Sequence, residues 1–498
     1  MEKIFKMYDQ EIIFASADPK ITYRISAWLK AGKIRLISPK IYSANLTDTP
    51  ESIVKKNLFT ILAHQYPGAV LSHRSALEFK PTQAGFLFLT YTYTKKIRLP
   101  GITLQLLEGP PASEGDRPYL KNTEQGELYV SQKERALLEN LQISKKKGAE
   151  SKTLPIEAIE EALEKILLLR GEEGLNSFRD KARQVAQILH MQTEFEKFNK
   201  LIGALLETQP VRLLSSPIAI ARASGIPYDP ERLYLFEKLY TSLFQREVRN
   251  LPEPNQSPQS FANFAFFESY FSNFIEGTLF EVDEAKEIVD TGMPLPARND
   301  DSHDILGTYE LAGNRKEMLK IPETASELIR VLQERHALLL KARTEKRPGE
   351  FKERNNRAGN THFVDYRLVR GTFIKSFEMY HNLTEPFHRA AFMMFLVSEV
   401  HPFEDGNGRV ARLMMNAELV KGKQSKIIIP TVYREDYLLT LKRLTNRQEP
   451  EPFLKMLEYA HRFSASVQGE DFKEMQNYLE KCHAFAEASE EKLRFDVL

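Results

Sequence analysis

The period of the apolar positions changes along this chain. Over EPFHRAAFMMFLVSEV, residues 385 to 400, nearly every position is apolar, as in a helix buried on all sides. The segment GRVARLMMNAELV that follows the next turn is amphipathic. Val410, Leu413, Met414 and Ala417 share one helical face, and Arg409, Arg412 and Asn416 lie on another. Helical periodicity runs from Ile156 to the end, interrupted by proline-rich turns at NLPEPNQSP and MPLPARNDDS. The first 110 residues read differently. Tyr23, Ala27 and Trp28 share a helical face, KAGK breaks that helix, and IRLISPKIYS alternates as a strand does, a small winged-helix pattern. VKKNLFTILAHQYPGAVLSHRSALEF reads as helix with a strand-like AVLS, and GFLFLTYTYTKKIRLPGITLQLLEG is rich in β-formers. After the break at GPPASEGDRP a helical segment is expected from near Tyr129, and residues 143 to 155 read as an exposed linker.

These elements predict a mainly α chain. A smaller α+β winged-helix-like module is expected over 1–110, a helical connecting region over 111–250, an all-helical core over 251–450 containing an aromatic-rich helix at 265–280, and a helical segment over 451–498. The 498 residues suggest about three domains, and 42% hydrophobic with 28% charged residues is a globular composition. The longest apolar runs, such as 390–397, are too short to span a bilayer, and the N-terminus lacks a secretory pattern. The single cysteine, Cys482, excludes an internal disulfide and a thiolate-rich metal site; a reducing cytoplasm is the expected compartment. Net charge is +1, yet residues 1–100 hold 15 Lys/Arg against 7 Asp/Glu. A polyanion could be met by that part of the chain only.

The densest chemistry is HPFEDGNGRVAR, 401–412. It falls between the apolar helix and the amphipathic one, at a helix N-terminus, where free amides and the dipole favour an anion. Gly406 and Gly408 allow close backbone approach to a phosphate. Arg409 and Arg412 can fork onto successive phosphates, Asp405 is an oxygen donor suited to magnesium, and His401 has a side chain suited to taking a hydroxyl proton near neutral pH. Any one of these is also compatible with a polar turn. Their combination predicts a nucleotidyl or phosphoryl transfer site.

The stretch resembles, position for position, the Fic family signature HPFx[DE]GNGRxxR. The resemblance implies an all-helical Fic core with a β-hairpin flap, and transfer of AMP from ATP to a Ser, Thr or Tyr hydroxyl of a protein. It implies that His401 is the base, that Phe403 anchors the loop, and that Asp405 holds Mg²⁺. Asn407 and the amides around Gly406 and Gly408 would cradle the α and β phosphates, with Arg409 and Arg412 on β and γ. Relatives of the Doc type, which act as kinases, carry lysine where this chain has Gly408. GEFKERNNRAGNTHFVDYRLVRGTF, 349–373, is similar to the family's flap, with Thr361, His362, Phe363 and Val364 as the strand that would pair with an extended target. In TVYREDYLLTL, Tyr433 and Tyr437 would flank the adenine or form ordinary aromatic core.

Upstream, YFSNFIEGTLF places a glutamate among aromatic residues, where an unpaired carboxylate is costly. Ser272 to Gly277 is similar to the family's inhibitory pattern [ST]xxxE[GN], which implies that Glu276 pairs with Arg412 and blocks the γ-phosphate. The same glutamate in some relatives positions water for removal of AMP, so the direction of the reaction stays open. Residues 10–110 more loosely resemble AbiEi-type antitoxins, which implies DNA contacts through Lys20, Arg24, Lys30, Lys33 and Arg35, or a winged-helix domain used for protein contacts. The expected partners are a hydroxyl-bearing protein and no membrane. Self-modification, a homodimer, and a DNA-binding regulator with an ATP-sensing core stay open.

Overall fold

The computed structural model describes residues 11–122 and 126–495; the first ten residues of the expected N-terminal module and the last three of the C-terminal segment lie outside it. The chain divides into two compact units, Met1–Ser224 and Gly225–Leu498.

The first unit opens with β1 (Ile12–Phe14), α1 (Pro19–Lys30), β2 (Arg35–Ser38) and β3 (Ile41–Ser43), the strands ordered β1-β3-β2. Helix α1 packs through Ile21, Ile25 and Trp28 onto Ile13 and Ile34. This corrects the expected face: Tyr23 is 76% exposed and Ala27 is exposed too, because the stripe at i, i+4, i+7 that begins at Ile21 is the more apolar one. Helices α2 (Pro50–Lys56) and α3 (Leu58–Gln65) pack on a six-stranded mixed sheet of β4 (Ala69–Leu71), β5 (Phe86–Tyr91), β6 (Lys95–Leu99), β7 (Ile102–Glu108), β8 (Arg117–Asn122) and β9 (Gly126–Val130), ordered β6-β7-β5-β4-β9-β8. Strand β9 runs parallel to β4, with Val70 opposite Tyr129. Two expectations change here. Tyr129 lies in a strand rather than at a helix start, and a boundary at 110 would cut the sheet.

Helix α4 (His73–Glu78) and helix α5 (Lys133–Asn140) follow strands of this sheet, and α6 (Ile156–Ile188), α7 (Gln192–Leu205) and α8 (Pro217–Ala223) share a core built on Leu163, Phe178, Phe198 and Ile202.

In the second unit, α9 (Pro230–Phe244), α10 (Pro258–Ile275), α11 (Val282–Thr291), α12 (Asn299–Ala312), α13 (Arg315–Met318) and α14 (Ala325–Leu339) precede the two-stranded hairpin β10 (Arg357–Ala358) and β11 (Thr361–His362). Then come α15 (Val369–His381), α16 (Pro386–Val400), α17 (Asn407–Lys421), α18 (Arg434–Arg447), α19 (Pro450–Ser466) and α20 (Phe472–Lys481). The helical core with a hairpin is as expected, but it begins at Gly225 rather than 251, because α9 packs on α15 and α16. Helix α16 is buried nearly all round. That burial fixes the residue at its C-terminal end, His401.

Helix α10 is bound into the core at two levels. Phe264, Phe266, Phe267 and Phe271 are buried. Glu268 accepts from Lys426 Nζ (2.6 Å) and Asn416 Nδ2 (2.8 Å), and Lys426 is fully buried beneath the Phe261 and Phe264 rings. Removing one member of such a pair strands a buried charge. Lys426→Met is expected to lower stability by roughly 3 kcal/mol, read as a drop in the urea midpoint. Lys426→Met combined with Glu268→Met should recover part of the loss.

Candidate active site

Helix α16 ends as His401 turns left-handed (φ 51), its amide donating to the Val397 carbonyl at 3.0 Å. Nδ1 lies 3.2 Å from the Ser398 carbonyl. A carbonyl only accepts, so Nδ1 carries the hydrogen and Nε2 keeps its lone pair. The Phe363 ring stacks on the imidazole, centroids 3.7 Å and planes 3° apart. Burial pushes the His401 pKa down to about 4; the Ser398 carbonyl acts against that, and the nearby Lys352 adds to it. The enclosed ring is therefore neutral at pH 7.

The loop is shaped by side chains that brace its backbone. Phe403 is fully buried and stacks on His336 at 3.7 Å. His336 Nδ1 accepts from the Gly349 amide (2.9 Å), so Nε2 donates to the Asp405 carbonyl (3.1 Å). The Asn407 side chain accepts from the Phe403 amide (2.8 Å) and donates to the Phe403 carbonyl (2.9 Å). The Asn407 side chain is thus a loop staple, 2% exposed, at the first position of α17. Gly406 caps α17 in the left-handed region (φ 72). From there the first-turn amides of α17 are left without intrahelical partners.

The two arginines diverge. Arg412 is 5% exposed; its Nη2 lies 2.6 Å from Glu276 Oε1, its Nε donates to Ser272 Oγ (2.9 Å), and Nη2 also donates to the Ser272 carbonyl (2.9 Å). Glu276 is the C-terminal cap of α10, followed by Gly277 at φ 98. Its carboxylate lies at the start of α17: a β-carbon added to Gly408 would come 2.2 Å from Glu276 Oε1. Glycine at 408 therefore makes room for the glutamate, a demand separate from phosphate approach. Arg409 instead reaches Asp304 Oδ2 (2.8 Å), which Arg343 Nη2 also contacts (2.7 Å). Burial pushes the Asp304 carboxyl pKa up, and Arg409 and Arg343 oppose that. Asp304 was not singled out from sequence. Its signal was an acid on the buried stripe it shares with Gly307, Thr308 and Leu311.

Tyr437 is 2% exposed and its hydroxyl accepts from Arg412 Nη1 at 3.3 Å, so it backs the arginine rather than offering a face to a base. Tyr433 turns to Tyr459 of α19, ring centroids 5.4 Å apart. Both tyrosines belong to the core packing here, one of the two settings expected from sequence. In the hairpin, Arg357 pairs with His362 and Ala358 with Thr361. The strand is shorter than the expected 361–364, since Phe363 lies on His401 and Val364 is fully buried. In the first unit Lys20, Lys30 and Lys33 are exposed and Arg24 and Arg35 are partly exposed, Arg35 donating to the Asp48 carbonyl.

Asp405 is partly exposed; Oδ1 accepts from the Gly406 amide (2.7 Å). Among the described residues no group of three His, Cys, Asp or Glu side chains could hold a metal. Nor is any helix there long and apolar enough to cross a membrane.

The site thus joins an imidazole at the end of one helix of the helical core to the glycine-capped start of the next. Residues 328–419 match the model of the Fic/DOC family. The chain is similar to proteins named protein adenylyltransferase Fic from Drosophila sechellia and Drosophila melanogaster, 29% identical over 202 residues, covering 39% of this chain and 40% of each relative. The chain thus spans about 40% of the length of the curated relatives it matches. It is also similar to the solved structure of Fic-1 from C. elegans (17% identity, 66% of this chain and 98% of that one, TM-score 0.35). A Fic domain containing signaling protein from Bacteroides thetaiotaomicron is similar too (20% identity, 49% and 97%, TM-score 0.37).

Proposed function

We propose that the chain transfers AMP from ATP to a hydroxyl of a protein, and that Glu276 holds the activity down. The observation that carries this is the Glu276 carboxylate seated on Arg412 at the start of α17, an anion already in the place where the helix would receive a phosphate. Beside it stands a neutral imidazole with Nε2 free. In the reaction, the target oxygen bonds to the α-phosphorus, the bond from that phosphorus to the β-bridging oxygen breaks, and pyrophosphate leaves. His401 Nε2 takes the hydroxyl proton. The α17 amides and Arg412 hold the phosphates once Glu276 withdraws, and β11 offers an edge to the target backbone.

Asp405 is the residue here that would hold Mg²⁺. Asp405 has one oxygen committed to the Gly406 amide and a second available to the ion, and a magnesium ion bound to nucleotide needs few protein ligands. Its part would be to neutralise phosphate charge. The reading is tested by incubating α-labelled ATP and lysate protein with the wild-type chain, Glu276→Gly and His401→Ala. Labelled protein bands that need His401 support it; loss of label from pre-modified protein, without incorporation, would point to AMP removal.

For the first unit we propose duplex DNA as a partner, supported by the outer face of α1, where Lys20, Tyr23, Arg24, Ala27 and Lys30 lie together. Lys20→Glu with Lys30→Glu should weaken binding to any duplex and flatten its salt dependence by a slope of about 2. Binding unaffected by both substitutions and by salt would remove this face from consideration.

A further inference from the structure

The β10–β11 hairpin is tied on both sides to the residues that flank His401. On one side, Lys352 Nζ donates to Asn356 Oδ1 (2.7 Å) and to the Val400 carbonyl (3.4 Å), and Asn356 Nδ2 donates to the Phe403 carbonyl (2.9 Å). On the other side stands Arg232, from α9. Its Nη2 donates to the His362 carbonyl in β11, and its Nε lies 2.9 Å from Glu399 Oε1. Glu399 sits two residues before His401 with its side chain 3% exposed, and Oε2 accepts from Thr445 Oγ1 (2.7 Å). The residue after His362 is Phe363, whose ring covers the imidazole.

We propose that Arg232 is a positioning residue for the transfer reaction: it ties the target-docking strand to the helix that carries His401, and through Phe363 it fixes the plane of the imidazole. This rests on the transferase reading above. A guanidinium suits the task because its nitrogens are spread over a plane, so that Nη2 reaches the His362 carbonyl while Nε lies against the Glu399 carboxylate, whereas the donors of an ammonium radiate from one point. Were Arg232 there only to neutralise Glu399, the contact to the His362 carbonyl would be surplus. The consequence for chemistry is large, because an error of about 1 Å between hydroxyl, base and α-phosphorus can cost on the order of a hundredfold in rate. Burial pushes the Glu399 carboxyl pKa up, with Arg232 opposing that, so removing the cation outright would also disturb the helix. A charge-preserving substitution is the cleaner probe.

Other charged groups face His401 from several elements: Lys352 before the hairpin, Glu276 at the end of α10, and Asp405 in its own loop. None is altered by Arg232→Lys. In a Glu276→Gly background, Arg232→Lys is expected to lower incorporation of α-labelled AMP into lysate protein about ten- to a hundredfold, with the Kd for ATP unchanged within about twofold. Amide hydrogen exchange should quicken in residues 357–364 and stay unchanged in α9 and α16. Phe363→Leu should share a second signature with Arg232→Lys. Uncovering the ring lets its pKa rise from about 4 towards its ordinary value, so the acid limb of the pH–rate profile moves to higher pH. Transfer at the parental rate with unchanged hairpin exchange would overturn the proposal, as would faster exchange through α9, α16 and the hairpin alike. If the Glu276→Gly parent labels nothing, the transferase reading fails; the exchange result still decides whether Arg232 holds the strand.

Discussion

Glu276→Gly should raise the initial rate of AMP incorporation about ten- to a hundredfold. The carboxylate competes with phosphate for the Arg412 guanidinium, and a hydrogen bond to a charged group is worth about 1.5–3 kcal/mol, or roughly one to two decades. The 2.6 Å contact to an arginine only 5% exposed places it in that class, while the partly open Glu276 side chain keeps it from being larger. The variant should fold, because Arg412 keeps the Ser272 hydroxyl and carbonyl and the Tyr437 hydroxyl as partners. Relief cannot readily come from pulling α10 away, since Glu268 is bound to Lys426 and Asn416 in the interior. The movable part is the last turn and the Glu276 side chain beyond it, where Gly277 adopts φ 98. A folded Glu276→Gly chain that labels protein no faster than wild type would end the inhibition claim.

The parts of this molecule that sequence exposes are those whose physics is local. The burial of α16 shows in an unbroken apolar run, and the 401–412 loop carries its own glycines, base and arginines within twelve residues. Partners set by the tertiary fold stay hidden. Asp304, Arg232 and Glu399 are ordinary charged residues until α12, α9 and α16 bring them to Arg409, His362 and one another. Asn407 shows how a residue of a local motif can carry a structural task that the motif does not announce. A short amide beside two glycines suits both a phosphate and the backbone four residues back, and the contact to that backbone is set by the turn the loop makes. In the first unit, α1 carries two candidate stripes, and the more apolar one, Ile21, Ile25 and Trp28, is the one that meets Ile13 and Ile34. Tyr129 reads as a helix start in sequence because its strand is completed by a parallel neighbour some sixty residues earlier, which periodicity does not record.

His401→Ala should lower AMP transfer by about 10²–10⁴-fold, the span of a general base. Position 401 is left-handed at φ 51, so alanine adds backbone strain to the loss of the imidazole, and a second substitution is needed to separate the two. Asparagine tolerates that conformation and cannot take a proton, so His401→Asn should lose as much activity with less loss of stability. Both variants should bind ATP within a fewfold of the parent, since the phosphate contacts lie in the 406–412 segment. The pH dependence has a definite sign. The free-enzyme imidazole, held down to about 4 by burial, is already deprotonated at neutral pH, so kcat/KM of the Glu276→Gly parent should stay flat from pH 7 to about 5 and fall below that. An acid limb near the ordinary histidine value would mean that the ring is uncovered when substrate arrives. Transfer at the parental rate by a folded His401→Asn chain would remove the histidine from the chemistry and leave the loop as a nucleotide sensor.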